Sequence, residues 1–204
     1  LDRVVAIVNN DLILDSDVDQ ERRLESLQPY RETVVTFSRD KTIERLIDRD
    51  LILQQVELQA QDPITDAQLE NEIAALRKAI PDCKNKKFDC ETKAGWDSFL
   101  GSNGFTTDEL NKQWRERMEV LRFIEQRFRT GIKITPEEIQ AYYTQTMLPE
   151  YAKQNTKAPP LDALSNRIQE VLLEQRVSGL LGDWLKSLRA QGSVVVLQAG
   201  EEAP

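Results

Sequence analysis

The chain has 204 residues, 40% of them hydrophobic and 30% charged, with a formal net charge of -8. That length can bury a sizeable core, while the acidic balance excludes the basic stripe that neutralises nucleic-acid phosphates and disfavours an anionic membrane surface. With no histidine in the sequence, Ser-His-Asp and Cys-His chemistry is excluded, and no apolar run approaches the roughly 18 residues of a membrane-spanning helix.

Leu1 opens directly on strand-like sequence without an initiator Met, as in a processed mature chain whose signal peptide has been removed, or a trimmed one. Arg3 to Leu14 predicts a β-hairpin. Val4, Val5, Ile7 and Val8 form one apolar run and Leu12 to Leu14 another, with the turn-tolerant Asn9-Asn10-Asp11 between them. Ser16 is expected to cap a helix over 17–28, stopped by Pro29. Ser38 to Gln61 predicts a long central helix. Its apolar residues, from Ile43 to Val56 and Leu58, cover more than one narrow stripe.

Three S/T-x-x-E/Q capping boxes mark further helix starts: Thr65 with Gln68, Thr106 with Glu109, and Thr135 with Glu138, the last followed by Pro136 at the first helical position. The first helix should run to Ile80 and stop at Pro81. Cys83 and Cys90 follow, the only cysteines, with six residues between them. With no histidine they make a poor zinc site, and they lack the C-x-x-C spacing of a redox pair. A small structural disulfide is the favoured reading and implies an oxidising compartment. Two free thiols are the alternative.

Trp96 to Gly101 predicts a short helix before an Asn103-Gly104 turn. The Thr106 helix should reach Phe128, with Leu110, Trp114, Met118, Leu121, Ile124 and Phe128 on one face. Residues 149–160 read as a polar loop. Leu161 to Ala190 predicts a closing helix with Leu164, Ile168, Leu172, Leu181, Trp184 and Leu188 on one face. Gly179 and Gly182 inside it are expected to loosen or tightly pack one turn. Gly192 suits its C-terminal cap. Residues 194–197 predict a last strand paired with the N-terminal hairpin, since neither buries its apolar face alone. The expected fold is mostly α, a helical bundle with a small antiparallel sheet joining the two ends of the chain. One domain is expected over 1–204: an N-terminal segment of residues 1–148, a linker 149–160, a helix and strand 161–197, and a tail 198–204.

The opening Asp2 to Val18 resembles the start of SurA-family chaperones: a valine-rich strand, an Asn-Asp turn, a second strand, and Ser-Asp opening a helix. Ile43 to Gln54 is similar to their next helix. Ile64-Thr65-Asp66-Ala67-Gln68-Leu69 and Ile134-Thr135-Pro136-Glu137-Glu138-Ile139 follow in the family's order, and Leu161 to Leu197 is similar to its closing helix and strand. The Cys83–Cys90 segment reads as an insertion. Family members usually carry parvulin-type prolyl isomerase domains where this chain has only 149–160. The resemblance therefore implies the chaperone module without the isomerase. It implies an ATP-independent holding chaperone of the periplasm that binds unfolded secreted or outer-membrane polypeptides.

No cofactor or metal is expected. Gly101-Ser102-Asn103-Gly104 lacks the Lys-Ser/Thr of a phosphate loop. The pairs Glu137-Glu138 and Glu201-Glu202 suit dipole partners or solvated charge, and Asp48 and Asp50 are expected to face the surface rather than catalyse. The candidates for client contact are Trp96, Phe99, Phe105, Trp114, Phe123, Tyr142, Tyr143 and Trp184; for Trp114, Phe123 and Trp184, at helical spacing with Phe128, core is the favoured reading. Tyr142 and Tyr143 cannot both face inward from one helix. Alternatives are a helical adaptor for one folded partner, a homodimer formed by segment exchange, or an isomerase relative that has lost its catalytic domain.

Overall fold

A computed structural model of the chain describes residues 2–27, 38–59, 62–85 and 87–198. The stops expected at Gln28, Pro29 and Gln61, and the tail from 199 with Glu201 and Glu202, lie outside the described residues. The chain divides into two compact units, Leu1–Arg122 with Leu188–Pro204, and Phe123–Ser187.

The first unit opens with β1 (Val4–Val8) and β2 (Asp11–Leu14), paired antiparallel. The register shifts between Val4 and Ala6. This bulge explains why consecutive residues, Val5 and Ala6, are both buried where a regular strand would alternate. β3 (Val194–Val196) lies antiparallel on the other side of β1, with Ala6 opposite Val196, so the sheet order is β2-β1-β3. The two ends of the chain meet in one sheet, as the apolar runs required.

Asn9 fastens that junction. It takes the left-handed conformation (φ 55°) that Asn tolerates. Its backbone N–H donates to the Ser193 carbonyl at 2.7 Å, and its side-chain oxygen accepts the Ser193 N–H at 2.9 Å. Its amide nitrogen donates to Gln54 at 2.6 Å. Gly192 makes the approach possible, because a Cβ there would stand 2.6 Å from the Asn9 oxygen.

The helices follow their capping signals closely. α1 is Asp15–Ser26. It starts earlier than Ser16 suggested, because Asp17 does the capping: its carboxylate accepts the Leu14 N–H at 2.8 Å, and the Ser16 hydroxyl donates instead to Asp2. α2 (Arg39–Glu57) is capped by Ser38 and buries Ile43, Leu46, Ile47, Leu51 and Ile52. Leu58, at its C-terminal cap, is 78% exposed and lies outside the core. α3 (Asp66–Ala79) has the reciprocal Thr65–Gln68 box. Pro81 does not simply stop it but opens a further turn, α4 (Pro81–Lys84), at the position where a missing N–H costs nothing. α5 (Lys93–Ser102) begins before Trp96, capped by Thr92. α6 (Thr107–Ile124) has the Thr106–Glu109 box, closed at 2.8 and 3.2 Å.

The core of this unit gathers Leu24 and Leu27 of the α1 end, Leu69, Ile73 and Leu76 of α3, Trp96, Phe99 and Leu100 of α5, and Leu110 and Trp114 of α6. Cys83 and Cys90 are joined by a disulfide, Cα to Cα 5.4 Å, which holds the segment between α4 and α5 against this core. A loop this short contributes roughly 2–3 kcal/mol in the chain-entropy model.

Asp48 and Asp50 are tied into the unit rather than facing the surface freely. Asp48 pairs with Arg189 at 2.6 Å. Asp50 is half-buried, and loss of hydration, with Asp11 and Glu57 adding repulsion against the pull of Arg49, raises its pKa to about 6. Gln54 donates to both Asp50 and Asp11. A raised folded pKa means that stability is fullest below about pH 4 for this group and falls as pH rises through about 6. Asp50→Asn keeps an acceptor for Gln54 and removes the charge. It should melt higher than the wild type at pH 8, by on the order of 1 kcal/mol after allowing for screening, with the difference vanishing near pH 4. Paired thermal melts across that range check it, and a pH-independent difference would refute it.

The second unit holds a π-helical turn (Glu125–Arg129), α7 (Pro136–Tyr142), a second π-helical turn (Tyr143–Met147), α8 (Leu148–Lys153), and α9 (Leu161–Gln191) as far as Ser187. The expected loop over 149–160 is shorter than predicted. Pro149 falls in the first turn of α8, where proline is tolerated, and the helix runs on to Lys153.

Candidate functional site

The eight aromatic candidates separate by burial. Trp96, Phe99, Phe105 and Trp114 are buried at 8% exposure or less in the core of the first unit, where Trp96 stacks on Phe99 at 5.5 Å. Phe123 is fully buried. Tyr142, Tyr143 and Trp184 are half-buried. The Tyr143 hydroxyl donates to the Pro159 carbonyl at 2.7 Å, fixing its ring to the segment before α9.

Trp184 is the centre of an aromatic cluster. Phe123 stacks on it at 5.5 Å, Phe128 leans on it at 5.4 Å, and the Arg127 guanidinium lies 4.9 Å from its ring centroid. Residues five apart, such as Phe123 and Phe128, diverge on an ordinary α-helix. The wider π-helical turn at Glu125–Arg129 brings them onto one ring.

α9 has 31 residues, about 46 Å of helix. The single face expected for it does not exist. At about 100° per residue, Leu164, Ile168 and Leu172 lie on one side and Leu181, Trp184 and Leu188 on roughly the opposite side. Apolar side chains therefore point all round it. Such a helix is ordinarily enclosed, yet Ile168 is the one buried residue on it among those described. Leu164, Leu172, Leu173, Val177, Leu181 and Leu185 stay partly open, and Leu180 is 47% exposed. Within the second unit α9 is held by the Trp184 cluster and the buried Ile168, with ion pairs from Arg176 to Glu138 at 2.5 Å and Arg129 to Glu170 at 2.8 Å beside them. Gly179 and Gly182 face open space, so neither packs tightly against a neighbour. Leu148, at the start of α8, is 37% exposed.

The apolar stripe of α6 is also incompletely covered. Leu110 and Trp114 are buried and Met118 is partly buried, but Leu121, on the same stripe, is 51% exposed. Phe123 falls off that stripe and is buried on another side of the helix. The exposed aliphatic positions Leu121, Leu148 and Leu180 lie outside the aromatic set. For Leu180 the sequence signal is the angular spread of leucines along α9.

Among the described residues no helix is long and apolar enough to cross a membrane, and no group of three or more His, Cys, Asp or Glu side chains is placed to hold a metal ion. No family model matches the chain. In fold the chain is similar to a solved chain from the work on PEB4 and the periplasmic protein Cj1289, two structurally related SurA-like chaperones of Campylobacter jejuni. The TM-score is 0.58 over 96% of this chain and 99% of that one, at 11% identity. In sequence it is 38% identical over 87 residues to Chaperone SurA of Buchnera aphidicola subsp. Schizaphis graminum (strain Sg). The chain therefore has the fold of that SurA-like solved chain. The sequence match takes in 39% of this chain and spans about a fifth, 19%, of the length of the Buchnera protein.

Proposed function

We propose that this SurA-like module is an ATP-independent holding chaperone of the periplasm that shields apolar segments of unfolded secreted or outer-membrane polypeptides. The observation that carries the reading is α9, a long helix apolar on all sides that leaves most of its leucines and valines partly open. Open apolar surface of this kind marks a binding site, and leucines spread round a helix suit weak contacts with many sequences rather than one tight fit. The exposed Leu148 and Leu180, with the half-buried Tyr142, Tyr143 and Trp184 of the same unit, are the proposed contacts. The Cys83–Cys90 disulfide suits the oxidising periplasm. The module is proposed to act as one domain and without catalysing prolyl isomerisation.

The test is paired. Light scattering of several unrelated aggregating clients, outer-membrane proteins included, should show protection by the purified chain without nucleotide. Cis–trans kinetics of a proline peptide should be unchanged by it. Peptide acceleration that tracks the protein's own elution peak would overturn the non-enzymatic reading. Protection of no client, with stoichiometric binding of one folded partner or of a second copy, would make the module an adaptor.

A further inference from the structure

One glutamine ties the closing strand to a pair of carboxylates. The Gln54 amide nitrogen, on α2, has three acceptors around it: Asp11 at 2.7 Å, Asp50 at 3.2 Å and the Val8 carbonyl at 3.2 Å. It has two hydrogens to offer them. The Gln54 oxygen accepts the Asn9 amide at 2.6 Å, and the oxygen of that Asn9 amide accepts the Ser193 N–H at 2.9 Å. Two side-chain amides in series therefore connect Asp11 and Asp50 to the residue that leads into β3.

The connection ends on a weakly held segment. β3 is a three-residue edge strand, and its Val195 and Val196 are 38% and 42% exposed. Short terminal strands of this kind open readily and independently of the core. The end of α9 is anchored apart from it, because Arg189 pairs with Asp48 at 2.6 Å and Glu44 at 2.8 Å. Both acids lie on another side of α2 from Asp50. Opening is thereby confined to the chain beyond about Gly192.

Asp50 shares the Gln54 amide with Asp11 of β2. Glu57 of its own helix adds negative charge, and Arg49, itself paired with Glu21 at 2.8 Å, opposes it. The turn residues Asn9 and Asn10 and the arriving Ser193 are uncharged. Burial first, and then Asp11, keep the Asp50 carboxyl protonated up to about pH 6 while the turn lies on α2. Lifting the turn wets Asp50 and takes Asp11 away from it, so the open state releases the proton at lower pH. A pKa raised in the closed state stabilises that state fully below the open-state pKa, and the contribution is lost as pH rises through about 6.

We infer that Asp50 operates a proton-dependent latch on β3. Protonated, it lets Asp11 and the hairpin turn settle on Gln54, which holds Ser193 through Asn9. Ionised, it draws in water and repels Asp11, and the turn and the closing strand open more often.

The test is amide hydrogen exchange by NMR on the full chain, with protection taken against the rate of an unstructured peptide at each pH. The Ser193 and Leu197 amides, which donate to Asn9 and to the Val5 carbonyl, report the latch. Their protection should fall about threefold to tenfold from acid to neutral pH, with a midpoint near 6. The Ile80 amide, bonded to the Leu76 carbonyl at 3.0 Å, reports the core and should not follow that curve. In Asp50→Asn, Ser193 and Leu197 should keep their acid-side protection at neutral pH. Asp11→Asn, on the exposed hairpin, should shrink the fall and keep its sign, since Asp50 stays half-buried. A flat profile at Ser193 and Leu197, or an unchanged titration in Asp50→Asn, overturns the latch. So does an undiminished fall in Asp11→Asn, or an equal fall at Ile80, which would mark loosening of the whole unit.

Discussion

Replacing Leu148 and Leu180 together by Gln should cut the protection of aggregating clients severalfold while leaving the melting temperature nearly unchanged. Both side chains are more than a third exposed, so their loss removes little buried area from the folded state, and exposed substitutions usually stay within about 0.5 kcal/mol. The client-bound state is different. Covering the open part of each leucine contributes roughly 0.5–1.5 kcal/mol of transfer free energy, about a third to a half of the value for full burial, and a holding chaperone built from weak contacts loses affinity severalfold when two are removed. Leu12→Gln is the control: Leu12 is 55% exposed, but on the N-terminal hairpin. It should leave protection intact. Equal loss from both variants would mean that general surface hydrophobicity, not this region of the chain, holds the client. No loss from the double variant would remove α8 and α9 from the site.

Truncation after Gln191 should lower the stability of the chain by on the order of 4 kcal/mol, roughly 10 °C or more in melting temperature. The removed segment supplies β3, the Leu197 N–H to Val5 carbonyl bond at 2.9 Å, and both Ser193 bonds to Asn9. Its loss also uncovers one edge of β1, whose Val5, Ala6 and Val8 are among the most buried residues of the chain. Valine side chains of β3 add less, since Val195 and Val196 are 38% and 42% exposed. The effect is therefore chiefly one of backbone pairing. Asn9→Ala should reproduce some of it, because Ala loses the side-chain bonds to Ser193 and Gln54 and disfavours the left-handed turn. A truncated chain with unchanged melting would show that the sheet does not stabilise the first unit.

The sequence by itself determined the features of this protein that depend on near neighbours. Thr65, Thr106 and Thr135 each found the partner three residues on, because a capping box is closed within one turn of backbone. The closing strand pairs with the hairpin because three β-branched residues favour an extended backbone and β1 has a free edge to pair with. Cys83 and Cys90 were close enough along the chain to meet. Asp17 displaced Ser16 as the α1 cap, and both were in reach, so sequence could not choose.

Only the tertiary structure decided which apolar residues are covered. Trp96 and Trp184 are alike in the sequence, yet one is sealed under Arg77 and the other is half open beside Arg127. Leu110 and Leu121 share one stripe of α6, but the core ends between them. Arg77 reads in sequence as one more basic residue in the last turn of a helix, and only the fold lays its guanidinium over the buried Trp96 ring, 4.6 Å from the centroid. The physical reason is common to all three. Helix periodicity fixes the direction in which a side chain leaves its own backbone, whereas burial and charge pairing depend on which distant segment arrives to meet it.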